Sequence, residues 1–153
     1  MLTTYFFGEH PYQMDERFRV PLPLDYRNAF GDRAFITNGP ANCVLLYTEA
    51  TFADEIARIQ ALPKNELGEK ARRHFFSSVA EVKRDGQGRI TLKEQHVRHA
   101  GLSREVMVIG AGEKMEIWDR ATWDGQKEAL GEALQEALNR VEQFPPSNGG
   151  KGE

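Results

Sequence analysis

The sequence has very little cysteine, no long hydrophobic run and no excess of basic charge. Its single cysteine, Cys43, excludes a disulfide framework, so we expect a reducing compartment. The N-terminus lacks the basic flank of a secretory signal, and no apolar run approaches membrane-spanning length. With 23 acidic against 20 basic residues, the net charge is −3. These features predict a soluble, cytoplasmic protein without membrane contact.

The chain also lacks the usual signatures of catalysis and of metal or cofactor binding. It has no glycine-rich phosphate loop, and the only close histidine pair, His96 and His99, lies beside Arg98, which disfavours a cation. We expect these histidines to be solvated or adjacent to phosphate, and Cys43 to be a core thiol. We therefore predict no catalytic residues, no metal and no cofactor, so the chain is not expected to be an enzyme. Four aromatic residues are interpreted as core rather than as a ligand cage: Tyr47, Phe52, Trp118 and Trp123.

What the sequence does have is an internal repeat. The segment DERFR at 15–19 is matched by DGQGR at 85–89, and each segment runs into a short apolar strand. Self-similarity at a fixed offset indicates repeated structure. A unit of roughly seventy residues is near the lower limit for a self-sufficient core. We therefore expect the two copies to share one core.

Hydrophobic periodicity and turn signals predict the same order of elements in both copies. A strand leads to a tight turn and a second strand, followed by a short helical segment, two apolar strands and a closing helix. Gly31 and Gly101 stand where the short helical segments end, because glycine tolerates the left-handed conformation. Thr48 is a suitable N-cap for the first closing helix. The predicted strands cover residues 12–14, 20–22, 34–37, 43–47, 79–83, 90–92, 105–109 and 115–118, and the short helical segments 24–27 and 94–100.

These elements predict an α+β fold in which one unit is used twice. We place the first repeat at residues 5–62, a linker with a helix over 66–74 at 63–76, and the second repeat at 77–143. The tail at 144–153 is rich in proline and glycine and is predicted to be disordered. The C-terminal helix is long and amphipathic, so we expect it to make subunit contacts. Its apolar face carries Leu130, Leu134, Ala137, Leu138 and Val141.

The duplicated motif has the chemistry of a tight turn. Asp favours the first position of a type I turn, and Gly88 can take the left-handed position that closes a three-residue loop. Asp85 and Arg89 would then form a charge-assisted pair across the loop. One interpretation is an ion pair that only stabilises the turn. The other is a hairpin that presents Arg89, Arg84 and Lys83 to DNA, whose major groove admits a two-stranded ribbon.

Basic charge is concentrated in residues 70–104, which carry nine Lys and Arg against three Asp and Glu. Residues 105–153 have the opposite balance, with ten acids against five bases. A basic segment on an acidic chain is typical of a nucleic-acid-binding surface. The alternative is a solvated basic face that pairs with acidic helices of the same or a neighbouring chain. Charge alone leaves both interpretations open.

Motifs of a known family run from Phe7 to about Gln143. The second copy contains DGQGRI at 85–90, RHAGL at 98–102 and EIWD at 116–119. The stretch that leads from the first copy into the second contains LLY at 45–47, LP at 62–63 and RHFFS at 73–77. The matching residues of the first copy are Gly8, Glu9, Asp15, Arg17, Arg19, Pro23 and Arg27. On these residues the chain resembles the MraZ family, bacterial regulators built from two tandem SpoVT/AbrB-type repeats.

The resemblance implies swapped-hairpin repeats that form a double-split β-barrel-like core, and ring-shaped homo-oligomers, either octamers or dodecamers. It also implies a transcriptional regulator that binds specific DNA repeats upstream of the division and cell wall gene cluster and associates with the nucleoid. The DNA-facing residues would be Arg17 and Arg19, with Asp15 bracing the turn. Arg89 and Asp85 would be their counterparts in the second copy.

Two positions depart from the family pattern. Phe18 stands where the family usually has glycine, and a bulky residue at positive φ is strained. We therefore expect either a remodelled first loop or a contact between Phe18 and a partner. Lys93 stands where the family usually has proline, which adds a charge and a backbone donor beside the basic segment.

A function from another class stays open. An oligomeric assembly or interaction protein, with weak or no specific DNA binding, could also use duplicated hairpins. The long C-terminal helix and the acidic C-terminal half support assembly under both hypotheses. Antitoxin-type AbrB relatives are a third possibility, but they normally carry one copy of the unit.

Overall fold

The computed structural model describes residues 5–143, so the tail predicted to be disordered, 144–153, lies outside the described residues. The described chain is a mixed α+β fold with a long C-terminal helix, as predicted. In chain order its elements are β1 (Glu9–Gln13), β2 (Arg19–Pro21), a 3₁₀ helix (Arg27–Phe30), β3 (Arg33–Asn38), β4 (Val44–Tyr47), α1 (Glu49–Gln60), α2 (Glu66–Ser77), β5 (Ala80–Lys83), β6 (Arg89–Thr91), α3 (Glu94–Ala100), β7 (Glu105–Gly110), β8 (Met115–Asp119) and α4 (Arg120–Gln143).

The strands form two antiparallel sheets in which the two copies are interleaved. The larger sheet has six strands in the order β1-β7-β8-β4-β3-β5, and the smaller sheet pairs β2 with β6. Each outer strand of the larger sheet therefore pairs with a strand of the other copy, β1 with β7 and β5 with β3. In the repeat, β1, β3 and β4 correspond to β5, β7 and β8. Counted from either edge of the sheet, corresponding strands therefore follow in the same order. The duplication thus has approximate two-fold symmetry about the β8–β4 pair.

One hydrophobic core contains side chains from both copies, which confirms the expectation of a shared core. Fully burying an aliphatic side chain of this size stabilises the fold by roughly 1.5–3 kcal/mol. The strands that carry this core belong to sheets that the two copies share. The cluster includes Val20, Leu22, Ile36 and Leu46 from the first copy and Ile90, Leu92, Val108 and Ile117 from the second.

The local signals for helix ends act as predicted. Thr48 caps α1, because its side chain accepts a hydrogen bond from the backbone N–H of Thr51 at 3.1 Å. The Thr51 hydroxyl in turn accepts from the backbone N–H of Thr48. Helix α3 ends at Gly101, which has the left-handed conformation with φ 60°. Helix α2 begins after Asn65, whose side chain accepts from Gly68 N at 2.9 Å.

Three elements differ from the prediction by three residues at one or both ends for tertiary reasons, whereas the ends of the other predicted strands differ by at most one residue. Strand β1 covers Glu9–Gln13 rather than 12–14, because its whole length pairs with β7. Helix α2 extends to Ser77 rather than residue 74, because Phe75 is buried. The short helical segment of the first copy is the 3₁₀ helix at Arg27–Phe30 rather than 24–27, because residues 23–26 first form a turn in which Tyr26 N donates to Pro23 O at 2.9 Å.

Residues beyond Arg120 form a separate compact unit, whose described part is most of α4. One side of this helix carries apolar residues at spacings of three and four, as the sequence predicts. Four of these side chains are exposed by 43–62 %: Leu130, Leu134, Leu138 and Val141.

Candidate nucleic-acid interface

The two repeated motifs fold into the same three-residue turn. In the first turn, residues 15–19, Asp15 N donates to Arg19 O at 3.1 Å and Phe18 N donates to Asp15 O at 3.0 Å. In the second turn, residues 85–89, the corresponding distances are 2.8 and 3.0 Å. Gly88 closes the second turn with φ 76°, as the sequence predicts.

Each turn is braced by its aspartate. The Asp15 carboxylate accepts from the backbone N–H groups of Arg17 and Arg19 at 3.0 and 2.9 Å, and from Arg19 Nε at 2.6 Å. Asp85 accepts in the same way from Gln87 N, Arg89 N and Arg89 Nε, each at 2.9 Å. The predicted pairing of Asp85 with Arg89 across its loop is therefore confirmed.

These hydrogen bonds favour the ionised form of both aspartates. The pKa of Asp15 lies below its ordinary value, chiefly because the Arg19 backbone N–H donates to the carboxylate and secondarily because the Arg19 guanidinium does. The pKa of Asp85 is lowered by the corresponding groups of Arg89. Both turns therefore carry a fixed carboxylate that orients an arginine.

Phe18 takes the left-handed conformation that its position in the turn requires. Its φ is 63°, and the turn keeps the hydrogen bonds of its glycine-containing counterpart. The expectation of a remodelled loop is therefore wrong. The Phe18 side chain is half-buried and packs against the hydrophobic core, which offsets the strain of a left-handed aromatic residue.

The two turns meet at the small sheet of β2 and β6, which we call the ribbon. We predicted a ribbon within one hairpin; instead, it takes one strand from each copy, with Arg19 opposite Thr91 and Arg89 opposite Pro21. Reciprocal hydrogen bonds lock the copies together, because Leu22 N donates to Gly88 O at 2.9 Å and Leu92 N donates to Phe18 O at 2.8 Å.

The ribbon has a buried face and a face that is accessible to solvent. Val20 and Ile90 are buried, so strand alternation places Arg19, Arg89 and their opposite residues on the other face. Arg19 and Arg89 are diagonal neighbours in this ladder, which sets their Cα atoms about 7–8 Å apart. Their side chains are 31 % and 25 % exposed. Two braced arginines therefore stand side by side on one accessible surface.

The other predicted DNA-facing residues differ in their surroundings. Arg17 is exposed at the first turn, and Lys83 is exposed at the end of β5. Arg84 is half-buried, and its Nη1 donates to the backbone carbonyl of Arg27 at 2.7 Å. Arg84 is thus tied to the 3₁₀ helix rather than extended into solvent.

Arg27 is a residue of this site that the sequence reasoning did not assign. Its guanidinium lies over the second turn, and its Nη2 donates to Leu22 O at 2.8 Å. The signal that could have found it is the family resemblance, because Arg27 is one of the first-copy residues that match the family pattern.

Part of the basic segment is neutralised by ion pairs along its own helices. Lys70 pairs with Glu66 at 3.0 Å on α2, and Arg98 pairs with Glu94 on α3. Such exposed pairs contribute little to stability, but they lower the local positive charge. Arg19 and Arg89 instead pair with Asp15 and Asp85, which hold them on an accessible face.

The prediction of solvated or phosphate-adjacent histidines is wrong for His96, whereas His99 is only half-buried. His96 is fully buried: its Nδ1 accepts from Lys93 N at 3.2 Å, so Nε2 carries the proton and donates to Ser78 O at 2.7 Å. His99 Nε2 contacts the carbonyls of Gly39 and Ala41 at 3.0 and 3.1 Å. Both histidines therefore join elements of the fold.

The remaining candidates for chemistry are structural. Cys43 is buried, and burial raises the pKa of its thiol to about 12, which agrees with a core thiol. Within residues 5–143 no three His, Cys, Asp or Glu side chains are grouped to hold a metal ion. The aromatic residues interpreted as core are all buried: Tyr47, Phe52, Trp118 and Trp123.

In the part of the chain that the structure describes, every helix is too short or too polar to cross a membrane.

Comparison with known proteins identifies the duplicated unit. The family model described as "MraZ protein, putative antitoxin-like" matches the chain twice in tandem, over residues 5–73 and 75–144. The two matches divide the chain at residue 74, within the last turn of α2, and together cover nearly all of it.

Curated relatives match over almost their whole length. The transcriptional regulator MraZ of Desulforamulus reducens is 34 % identical over 87 % of this chain and 96 % of its own. The proteins of that name from Acetivibrio thermocellus and Saccharopolyspora erythraea are 31 % and 32 % identical, over 87 % and 89 % of this chain and 96 % and 99 % of their own. With a family model matched along its length and such relatives, the chain belongs to the MraZ family.

Proposed function

We propose that this chain is a sequence-specific DNA-binding transcriptional regulator whose contact surface is the outward face of the ribbon. The observation that supports this most directly is the pair of braced arginines, Arg19 and Arg89, which are diagonal neighbours on one accessible face. An antiparallel two-stranded ribbon fits the major groove of B-DNA, which is about 12 Å wide. The name that the relatives carry, transcriptional regulator, agrees with this role.

The proposed contacts divide into two kinds. Arg19 and Arg89 are held by Asp15 and Asp85 through Nε, which leaves the orientation of each guanidinium defined for a base edge or a phosphate. Arg17 and Lys83 are exposed cations that would add phosphate contacts. Arg84 would contact DNA from its position against the 3₁₀ helix. A role of this kind is regulatory, not enzymatic.

We further propose the finer family properties for this chain. These are a swapped-hairpin, double-split β-barrel-like core, a ring-shaped homo-oligomer, and binding to repeats upstream of the division and cell wall gene cluster, with association with the nucleoid in the cytoplasm. Reciprocal bonding between the copies, Leu22 to Gly88 and Leu92 to Phe18, supports the swapped-hairpin assignment. Binding several DNA repeats at once would raise affinity through effective concentration, so that a single ribbon needs only weak affinity.

The test is a fluorescence-anisotropy titration with DNA from upstream of the gene and with a scrambled control. We expect Arg19→Ala and Arg89→Ala each to weaken specific binding by roughly 10-fold or more, since a good base contact contributes about 1–3 kcal/mol. Arg58→Ala is the matched control, because Arg58 is an exposed arginine paired with Glu55 on α1. Equal binding by the wild type and both ribbon variants would refute the site.

Salt dependence and assembly provide two further tests. If phosphate neutralisation contributes to binding, the logarithm of the association constant should fall linearly with the logarithm of the salt concentration. Light scattering after gel filtration should give an octamer or a dodecamer, and a monomer would refute the ring.

A second candidate function is an oligomeric assembly protein with weak or no specific DNA binding. The exposed apolar side of α4 favours it, because four large apolar side chains on one helix face are typical of an interaction surface. A regular oligomer that binds specific and scrambled DNA equally would support this candidate over the first.

A further inference from the structure

Arg27 belongs to the first copy, but its guanidinium lies over the turn of the second. A Cβ atom placed on Gly88 would lie 2.2 Å from Arg27 Nε and 2.4 Å from Cζ. The absence of a side chain at Gly88 therefore makes room for the arginine. The turn that holds Arg89 is covered by a side chain from the other repeat.

Arg27 reaches the second turn through Leu22. Its Nη2 and Nε donate to the Leu22 carbonyl at 2.8 and 3.3 Å. The N–H of the same Leu22 donates to Gly88 O at 2.9 Å. The Arg27 guanidinium thus fixes Leu22, which in turn holds the second turn. Without Arg27, the half-buried carbonyl of Leu22 would lose its charged donor.

A second link joins the 3₁₀ helix to the start of the turn. Arg84, which directly precedes Asp85, donates from Nη1 to Arg27 O at 2.7 Å, and its N–H donates to Asp32 O at 2.8 Å. The second turn is therefore held to the first copy on both sides. Arg27 takes part in both links, once through its guanidinium and once through its carbonyl.

The first turn keeps the backbone link, because Met14 N donates to Arg104 O at 2.7 Å, but it lacks counterparts of the two arginine side chains. The residues corresponding to Arg84, Gly88 and Arg27 are Met14, Phe18 and Val97, all of them apolar. Met14 is buried, and Phe18 and Val97 pack against the hydrophobic core. Apolar packing holds the first turn where a guanidinium holds the second.

We propose that Arg27 is a positioning residue for Arg89: it holds the second turn in the orientation that presents Arg89 to DNA, without contacting DNA itself. The recess around it favours positioning over direct phosphate binding, because two carboxylates, Asp32 and Asp85, line it together with Arg27 and Arg84. The inference rests on the proposed function, in which Arg89 binds DNA.

The experiment is a double-mutant cycle on DNA affinity with the full chain. Arg27→Val installs the residue that the second copy has at this position. We expect it to weaken binding by about tenfold, and we expect Arg89→Ala to cost much less in the Arg27→Val background than in the wild type. Arg19→Ala, the matched control, should cost the same in both backgrounds.

Several outcomes would overturn the positioning role. One is full additivity, in which Arg89→Ala costs as much DNA affinity in the Arg27→Val background as in the wild type. Another is that Arg19→Ala and Arg89→Ala both cost equally less in that background, which would indicate general damage to the fold. Arg27→Lys separates positioning from direct contact, because lysine keeps the charge but lacks the planar fork. We expect Arg27→Lys to bind like Arg27→Val, and wild-type affinity would assign Arg27 a simple electrostatic contact instead.

Amide hydrogen exchange on the protein without DNA gives an independent readout. Arg27→Val should speed exchange at Gly88 and Arg89 and leave the corresponding amides of Phe18 and Arg19 unchanged. Unchanged exchange at the second turn would refute the clamp even if DNA affinity falls. If Arg19→Ala and Arg89→Ala both leave DNA affinity intact, the proposed site fails and the positioning role fails with it. If only Arg27→Val leaves DNA affinity intact, the positioning role fails and the proposed function stands.

Discussion

The turn at residues 15–19 and the turn at residues 85–89 have the same internal hydrogen bonds and different surroundings. In each, an aspartate binds two backbone N–H groups and the Nε of the arginine four residues later. Outside the turn, the first copy packs apolar residues, whereas the second uses two arginines and a glycine. The internal bonds therefore suffice to define the turn, and its surroundings were able to diverge.

This difference explains why one turn accommodates phenylalanine where the other has glycine. Phe18 points its ring at the core and has no guanidinium above it, so a side chain is accommodated at positive φ. Gly88 lies directly beneath Arg27, where any Cβ would displace the arginine. The two turns are equivalent in backbone geometry and are held by different forces.

The largest expected effect tests whether the two copies share one cooperative core. Leu22 and Leu92 correspond to each other and are 1 % and 2 % exposed. Replacing either with alanine removes a buried side chain and leaves a cavity, so we expect each variant to lose about 2–5 kcal/mol of unfolding free energy. Urea denaturation followed by circular dichroism measures this loss.

Because one core contains both leucines, Leu22→Ala and Leu92→Ala should unfold in a single transition and differ from each other by less than about 1 kcal/mol. An exposed leucine offers the control: Leu67→Ala on α2 should change little, since Leu67 is 78 % exposed. Two separate transitions in either core variant would mean that the copies fold independently.

An intermediate effect tests the difference between the turn residues. Gly88→Ala places a side chain at φ 76° beneath Arg27, so we expect it to destabilise the fold by about 1–2 kcal/mol. Phe18→Gly relieves left-handed strain but loses packing against the core, so its unfolding free energy should stay within about 1 kcal/mol of the wild type. Thermal and urea denaturation of both variants would measure these changes.

Gly86→Ala serves as the control for the glycine variant, because a Cβ at Gly86 meets no other atom within 4 Å. A neutral Gly88→Ala variant would mean that Arg27 moves aside at little cost. A Phe18→Gly variant that is clearly stabilised would mean that strain outweighs packing in the first turn. Either result would remove the contrast drawn between the two turns.

Much of the local structure could be predicted from the sequence because it depends on neighbouring residues. The turn at Asp85, the cap at Thr48 and the end of α3 at Gly101 are set by side chains within a few positions. The candidate arginines followed from the spacing of the motif and the resemblance to a family. The α+β class followed from the order of the elements.

The remainder depends on partners that are distant in sequence. Nothing in the pattern of β1 indicates pairing with β7, so its boundary was misplaced. The position of Arg27 over Gly88 and the burial of His96 against Ser78 are contacts between elements, invisible to local periodicity. The expectation of a ribbon within one hairpin failed for the same reason, because β2 and β6 come from different copies.

The smallest expected effect concerns a contact that only the second copy makes. His96 corresponds to Tyr26, whose hydroxyl accepts a hydrogen bond from Phe7 N at 3.0 Å. Burial lowers the pKa of His96 below its ordinary value, with smaller contributions from the charges of Lys93 and His99. Protonating Nδ1 would also abolish its hydrogen bond from Lys93 N.

The sign of the pH dependence follows from this lowered pKa. The unfolded chain binds a proton on His96 near pH 6.5, whereas the folded chain does so only at lower pH. The stability contributed by neutral His96 is therefore present above about pH 6.5 and is lost as pH falls through the folded pKa. We expect the urea midpoint to fall between pH 7.5 and pH 5.5 in the wild type and to change less in His96→Gln, whose amide can still donate to Ser78 O. His74→Gln, at an exposed histidine, should retain the wild-type pH dependence. If His74→Gln removes that dependence and His96→Gln does not, the acid sensitivity does not arise from the buried contact of His96 in the second copy.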